Sequence, residues 1–251
     1  MVALSTGAAR VSGRRFYVCM ALAFVLIAFG GFVPTYWAKV ASGTFAGAPV
    51  LHVHGLFFFT WTLFFLVQTS LVASGRTLDH RTWGVAGVAI ATGMAFTVVL
   101  AAINSMKVAD AIGMGDAARR FSIVSLSALT LFIGLFVAAI VNVKRPEVHK
   151  RLMVLAMIPP MQAAMARPFQ VLFSPPGAVG PPPVFVSIPP GLTVDLLIVA
   201  AIIYDWRTRG RPHPVYLIGL PVILVQQLMT VPIGASATWM TIAHWVQNLA
   251  P

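Results

Sequence analysis

Between His54 and Arg76 the chain carries no ionisable side chain, and the intervening GLFFFTWTLFFLVQTSLVASG is almost wholly apolar. A bilayer's hydrocarbon core is about 30 Å thick and takes about 20 apolar residues of α-helix to cross. In lipid every backbone N–H and C=O must find its partner inside the protein, so an unbroken, non-alternating run of this length is restricted to helix. The run is therefore read as a span over 52–74, with His52 and His54 at one lip and Arg76, Asp79, His80 and Arg81 at the other.

The same pattern repeats along the chain. Further apolar stretches at about 16–37, 83–103, 121–143, 152–166, 188–206 and 215–235 predict an all-α polytopic bundle of about seven transmembrane helices, a single domain over 1–251. Composition agrees: 59% of residues are hydrophobic and 9% charged, with a mean hydropathy of +0.88, against about 25% charged in soluble domains. The net charge of +11 does not point to nucleic acid, because the cations sit in short clusters between apolar runs, where they act as topology signals. The single cysteine, Cys19, has no partner for an intrachain disulfide, and no Cys-x-x-Cys motif is present. The first apolar run is longer than a signal peptide's core and ends in Tyr36-Trp37, an interfacial pair, so it is expected to be retained as a helix.

Local signals refine the elements. Thr77 or Asp79 is expected to cap the third helix, with Gly84, Gly87 and Gly93 allowing close helix approach. Residues Asn104 to Arg120 read as an exposed loop. Pro159 and Pro160 predict a kink or break in a short fifth helix. The prolines at 175, 176, 181, 182, 183, 189 and 190 argue against regular helix over 168–190, and 236–249 reads as a short interfacial helix. With the N-terminus inside, inner segments hold twelve Lys and Arg (10, 14, 15, 76, 81, 144, 145, 150, 151, 207, 209, 211) and outer segments five (39, 107, 119, 120, 167). That bias predicts a cytoplasmic N-terminus in a bacterial inner membrane, with anionic lipid head groups as partners of the inner basic turns.

This topology sorts the histidines. His52, His54 and His244 fall outside, and His80, His149 and His213 inside, each of the inner three in a basic turn. His54 and His80 lie 26 residues apart, about 30 Å or more of helix, so no single ion or haem joins the two sets. Outside, His54 and Arg167 lie at a similar depth to Asp195, and an intramembrane carboxylate is a functional candidate by default. An Asp195–Arg167 or Asp195–His54 pair is expected, either as a ligand or proton site or as a polar clamp, and if the chain has one site it is expected here, His52 and His54 with Asp195 and Arg167. Inside, His80 and His149 each precede a cation and an apolar helix, which would bring the two imidazoles together, with His213 a possible third member. Haem b, copper or iron ligation stands there against binding of lipid phosphates or backbone carbonyls. Met153, Met157, Met161 and Met165 drift around a helix and read as packing, and Gln68, Gln226 and Gln227 read as interhelical hydrogen-bonding groups.

The motifs His-x-His-Gly (His52, His54, Gly55), His-Arg-x-x-Gly (His80, Arg81, Gly84) and His-Lys-Arg-Leu-Met (His149–Met153) resemble a pattern found in bacterial multi-pass membrane proteins of about seven helices. The chain is more loosely similar to haem–copper oxidase assembly proteins, around His149–Met153, and to cytochrome b561-like bundles. These resemblances imply haem or metal binding in support of a respiratory or other membrane complex, with His52, His54, His80 and His149 as cofactor candidates. The b561-like pattern of histidines paired within helices is not kept, since most histidines here sit at helix edges. A transporter or channel using Asp195 and Arg167, or a structural accessory subunit without ligand, are the other classes. The absence of a phosphate-binding glycine loop, Gly-x-Ser-x-Gly or His-Glu-x-x-His argues against an ATP-driven pump, a serine hydrolase of that type or a zincin.

Overall fold

The computed structural model describes residues 2–250, with side chains from residue 15 onward. The cations at 10 and 14 used to orient the chain lie outside the described side chains. The secondary structure is helical throughout, with no strand among the described residues. The main helices are α1 (Val2–Gly31), α3 (Pro49–Ala73), α4 (Thr77–Asp110), α5 (Gly115–Val141), α6 (Pro146–Phe173), α7 (Ile188–Arg209), α8 (Pro214–Gly234) and α9 (Ala237–Gln247). A π-helical turn at Val33–Trp37 and a short α2 (Ala38–Ala41) extend α1, and a 3-10 turn at Val184–Ser187 leads into α7. Six segments are long and apolar enough to cross a membrane: Arg15–Ala41, Pro49–Ala73, Thr77–Asp110, Gly115–Val141, Val184–Arg209 and Pro214–Gly234. Outward faces of these helices remain apolar, as at Leu26, Leu56, Phe96, Leu196 and Ile218, which suits lipid as the surrounding solvent.

The elements start and stop for identifiable reasons. Pro49, Pro146 and Pro214 open their helices at positions where the missing N–H costs nothing. The His213 ring accepts the Val215 N–H at 3.2 Å, and Ser236 accepts that of Trp239 at 3.2 Å, capping α8 and α9. Gly210, at φ 74°, closes α7 in the left-handed conformation. The cap expected from Thr77 or Asp79 does not form: the α4 N-terminus has no side-chain cap, and Asp79 instead pairs with Arg76 at 2.7 Å.

Two expected loops are shorter than their composition suggests. The stretch 104–120 is mostly helix, because α4 runs on to Asp110 and α5 begins at Gly115. Asp110 and Asp116 pair with Arg119, and Lys107 donates to the Ala250 carbonyl. Likewise α6 continues past Pro168 to Phe173, leaving irregular chain only between that point and the 3-10 turn. The two prolines at 159 and 160 do not end α6, which is continuous over 28 residues. The bonds they forfeit are to carbonyls of Leu155 and Ala156, both fully buried, and a helix packed on several sides tolerates such losses.

α6 lies at the centre. It packs against α1, α5, α7 and α8, and Val154, Leu155, Ala156, Met157 and Ile158 are all buried. At Gly31 of α1 an added methyl would run into the Ala164 carbonyl of α6, so these two backbones touch. The methionines behave as packing: Met157 and Met161 are buried, and Met153 and Met165 lie against the same core. Of the glycines expected to allow close approach, Gly87 and Gly93 abut the rings of Phe64 and Phe57, whereas Gly84 faces open space.

Candidate functional site

The turns joining α3 to α4, α5 to α6 and α7 to α8 gather at one end of the bundle, its basic end. There the rings of His80 and His149 meet with centroids 6.3 Å apart and planes at 74°. The juxtaposition expected from their matching sequence contexts is present. The His149 ring is oriented from behind. His149 Nδ1 lies 2.8 Å from the Ala139 carbonyl, a bond it makes as donor, which leaves Nε2 with a free lone pair. His80 Nδ1 is buried without a partner. Gln68 is itself buried, and neither atom of its amide has a partner.

His213 does not join them, because its Nδ1 is committed to the α8 cap. Its neighbours are the charges of an adjoining network centred on Arg151. Arg151, 1% exposed, donates to Asp205, 0% exposed, through Nε at 2.8 Å and Nη2 at 2.5 Å. Its Nη1 donates to the Glu147 carboxylate at 2.8 Å and main-chain carbonyl at 2.7 Å. Lys150 holds the other Glu147 oxygen at 2.7 Å, and the Tyr216 ring lies 5.8 Å from the guanidinium. Partial burial pushes the Glu147 carboxyl up, but hydrogen bonds from Lys150 and Arg151 outweigh it and hold the pKa at about 2. The network fixes α6 to α7 within two residues of His149. Asp205 was not apparent from the sequence; its signal was a second carboxylate in the apolar run that holds Asp195, just ahead of an arginine-rich turn.

At the far end the candidates separate. His52 Nδ1 bonds the Tyr36 hydroxyl at 2.8 Å, whereas the His54 ring lies tilted against Phe58 at 4.5 Å with its Nδ1 buried and unpartnered. Two residues apart on regular helix, the two imidazoles point to different neighbours and do not converge. The expected Asp195–Arg167 and Asp195–His54 pairs do not form among the described residues. Arg167 reaches Gln170 at 3.3 Å and lies 5.3 Å from the Phe32 ring. Asp195 accepts from Gln227 Nε2 at 3.2 Å. The prolongation of α6 past residue 166 carries Arg167 onto the α1 side of that helix, whereas α7 turns Asp195 toward α8.

A second network at this end also went unread. Arg119, 8% exposed, donates to Asp110 through both terminal nitrogens at 2.9 Å and to His244 Nδ1 at 3.2 Å. Gln247 bonds the other Asp110 oxygen, and Trp239 Nε1 donates to the Arg119 carbonyl at 2.9 Å. These bonds seat α9 on α4 and α5, so α9 buries Trp239, Ala243 and Val246 against protein.

Among the described residues no three His, Cys, Asp or Glu side chains converge as a metal cage. The His80–His149 pair is thus a two-imidazole arrangement with a buried amide beside it. Copper, iron and zinc all accept imidazole. The comparisons found no family model, curated protein or solved structure that matches this chain.

Proposed function

We propose that this chain is a bacterial inner-membrane protein, N-terminus cytoplasmic, that holds a transition-metal ion between His80 and His149 at its cytoplasmic end. Copper is the preferred ion, since it stands highest in the affinity order for nitrogen sites. In this reading α6 is a seventh crossing, less apolar than the others because its neighbours cover it. One observation carries the proposal: the His80 and His149 rings adjoin, and the Ala139 carbonyl holds His149 Nδ1, the kind of second-shell bond that fixes tautomer and orientation in metal-ligating histidines and leaves Nε2 free. Such an ion would supply one-electron redox chemistry or a transferable metal, which suits an accessory or redox role beside a respiratory or other membrane complex. Haem b is the competing occupant of the same pair, His80 and His149. His52 and His54, which face different neighbours, do not belong to it.

The test is elemental analysis and an absorption spectrum of protein purified without chelators. About one copper per chain without a Soret band supports the proposal. A Soret band replaces the ion with haem at the same ligands, and a colourless, metal-free protein leaves a structural accessory subunit.

A further inference from the structure

Asp195, Gln227 and Gln162 come from α7, α8 and α6 and are 4%, 3% and 8% exposed. They meet where the three helices pack closest: a methyl at Gly191 would strike the Gln162 amide nitrogen and lie 3.0 Å from the Gln227 amide carbon. Bond accounting at this point does not close. Gln227 Nε2 donates to Asp195 Oδ1 at 3.2 Å. The second carboxylate oxygen, Oδ2, and the Gln227 oxygen, Oε1, are both buried without a partner. Both are acceptors if the acid is ionised, and an unpaired buried acceptor is expensive.

Among the described residues no cation is at hand to compensate an anion. α8 has no charged residue between Pro214 and Gly234. On α6, Arg167 is turned to Gln170 and Phe32, and Glu147, His149, Lys150 and Arg151 lie at the other end of the helix. On α7, Asp205 is bound to Arg151, and Arg207 and Arg209 lie beyond it. An isolated carboxylate out of water is strongly disfavoured. One proton on Oδ2 removes both faults, since it neutralises the charge and turns an acceptor into a donor facing an amide whose own oxygen is free.

We propose that Asp195 is a reversible proton-binding site in the core of the bundle, its proton shared with the Gln227 oxygen as a carboxylic acid–amide pair. The proton binds as Oδ2–H and leaves to water, with no other bond made or broken. Loss of the proton creates an anion that only water can satisfy, so deprotonation requires α7 to part from α8. Prolines at 159 and 160 in α6 and at 221 in α8 remove main-chain bonds that would resist such a movement.

The experiment is infrared difference spectroscopy on the full chain in nanodiscs, with stability followed against pH. The carbonyl stretch of a protonated carboxylic acid is expected at neutral pH in the wild type, absent in Asp195→Asn and shifted in Gln227→Leu. Asp195→Asn, shaped like the protonated acid, should match wild-type stability at neutral pH and exceed it in alkali. A neutral-pH spectrum without that band overturns the proposal. So does a stabilisation that grows with sodium at constant ionic strength and disappears in Asp195→Asn, which would make the occupant a metal cation. If the asparagine variant does not assemble, the band and its shift in Gln227→Leu decide alone.

Discussion

Replacing Arg151 by methionine removes the one cation that, among the described residues, pairs with a carboxylate that is 0% exposed. The guanidinium makes two bonds to Asp205 and two to Glu147, and these four do not weigh equally. Glu147 is about half exposed and keeps Lys150, so its share is worth at most about 1 kcal/mol. The Glu147 main-chain carbonyl keeps its helical position and needs no second donor. Asp205 has no water to turn to, and stranding a buried charge costs about 3–5 kcal/mol. Arg151→Met should therefore lose about 3–5 kcal/mol in reversible unfolding from mixed detergent micelles. The double variant Arg151→Met with Asp205→Leu strands nothing and should recover to within about 1 kcal/mol of wild type. The reasoning fails if the double variant is as unstable as the single, or if the single loses less than about 1 kcal/mol.

Three further outcomes follow from other parts of the molecule. Gly31→Ala forces a methyl against the Ala164 carbonyl, a backbone obstacle that cannot rotate away, and should cost about 1–3 kcal/mol, while Gly30→Ala, facing open space, should cost nothing in the same unfolding assay. Burial, then the charges of Arg151 and Arg209, holds the His213 pKa below its ordinary 6.5; a depressed base favours the neutral fold, so the α8 cap contributes fully above pH 6.5 and is lost as pH falls through the depressed folded value, by about 1 kcal/mol, a fall that His213→Asn should not show. Glu147, held at about 2 from an ordinary 4.5, contributes stability that is present above pH 4.5 and is lost as pH drops toward 2, so Glu147→Gln should flatten the acid limb of the thermal-stability profile, by at most about 1 kcal/mol for so exposed a group.

The helical membrane fold could be read from apolar run length alone, because lipid leaves no other option for uncharged segments of that size. The pairing of His80 with His149 was legible too, since both follow helix ends that topology places on one side. Partner choice across helices was not. Asp195 bonds Gln227 rather than Arg167, because rotation of a helix about its axis is set by packing against several neighbours. The proline pair in α6 misled for a related reason: local propensity predicted a break, and burial on several sides outweighed it. The 104–120 stretch looked like loop because of its charges, yet Asp110 and Arg119 satisfy each other across two helix ends. In an apolar chain, charge marks a partner as often as it marks solvent.

The central claim is that His80 and His149 jointly hold one metal ion. Bound copper per chain, measured on protein purified in parallel from wild type, His80→Ala, His149→Ala and the control His213→Ala, tests it most directly. About one ion per chain is expected in wild type and control and less than a tenth of that in either ligand variant, since losing a ligand costs more than the 10-fold to 100-fold that second-shell changes do. Equal copper in all four proteins, or none in the wild type, would contradict it.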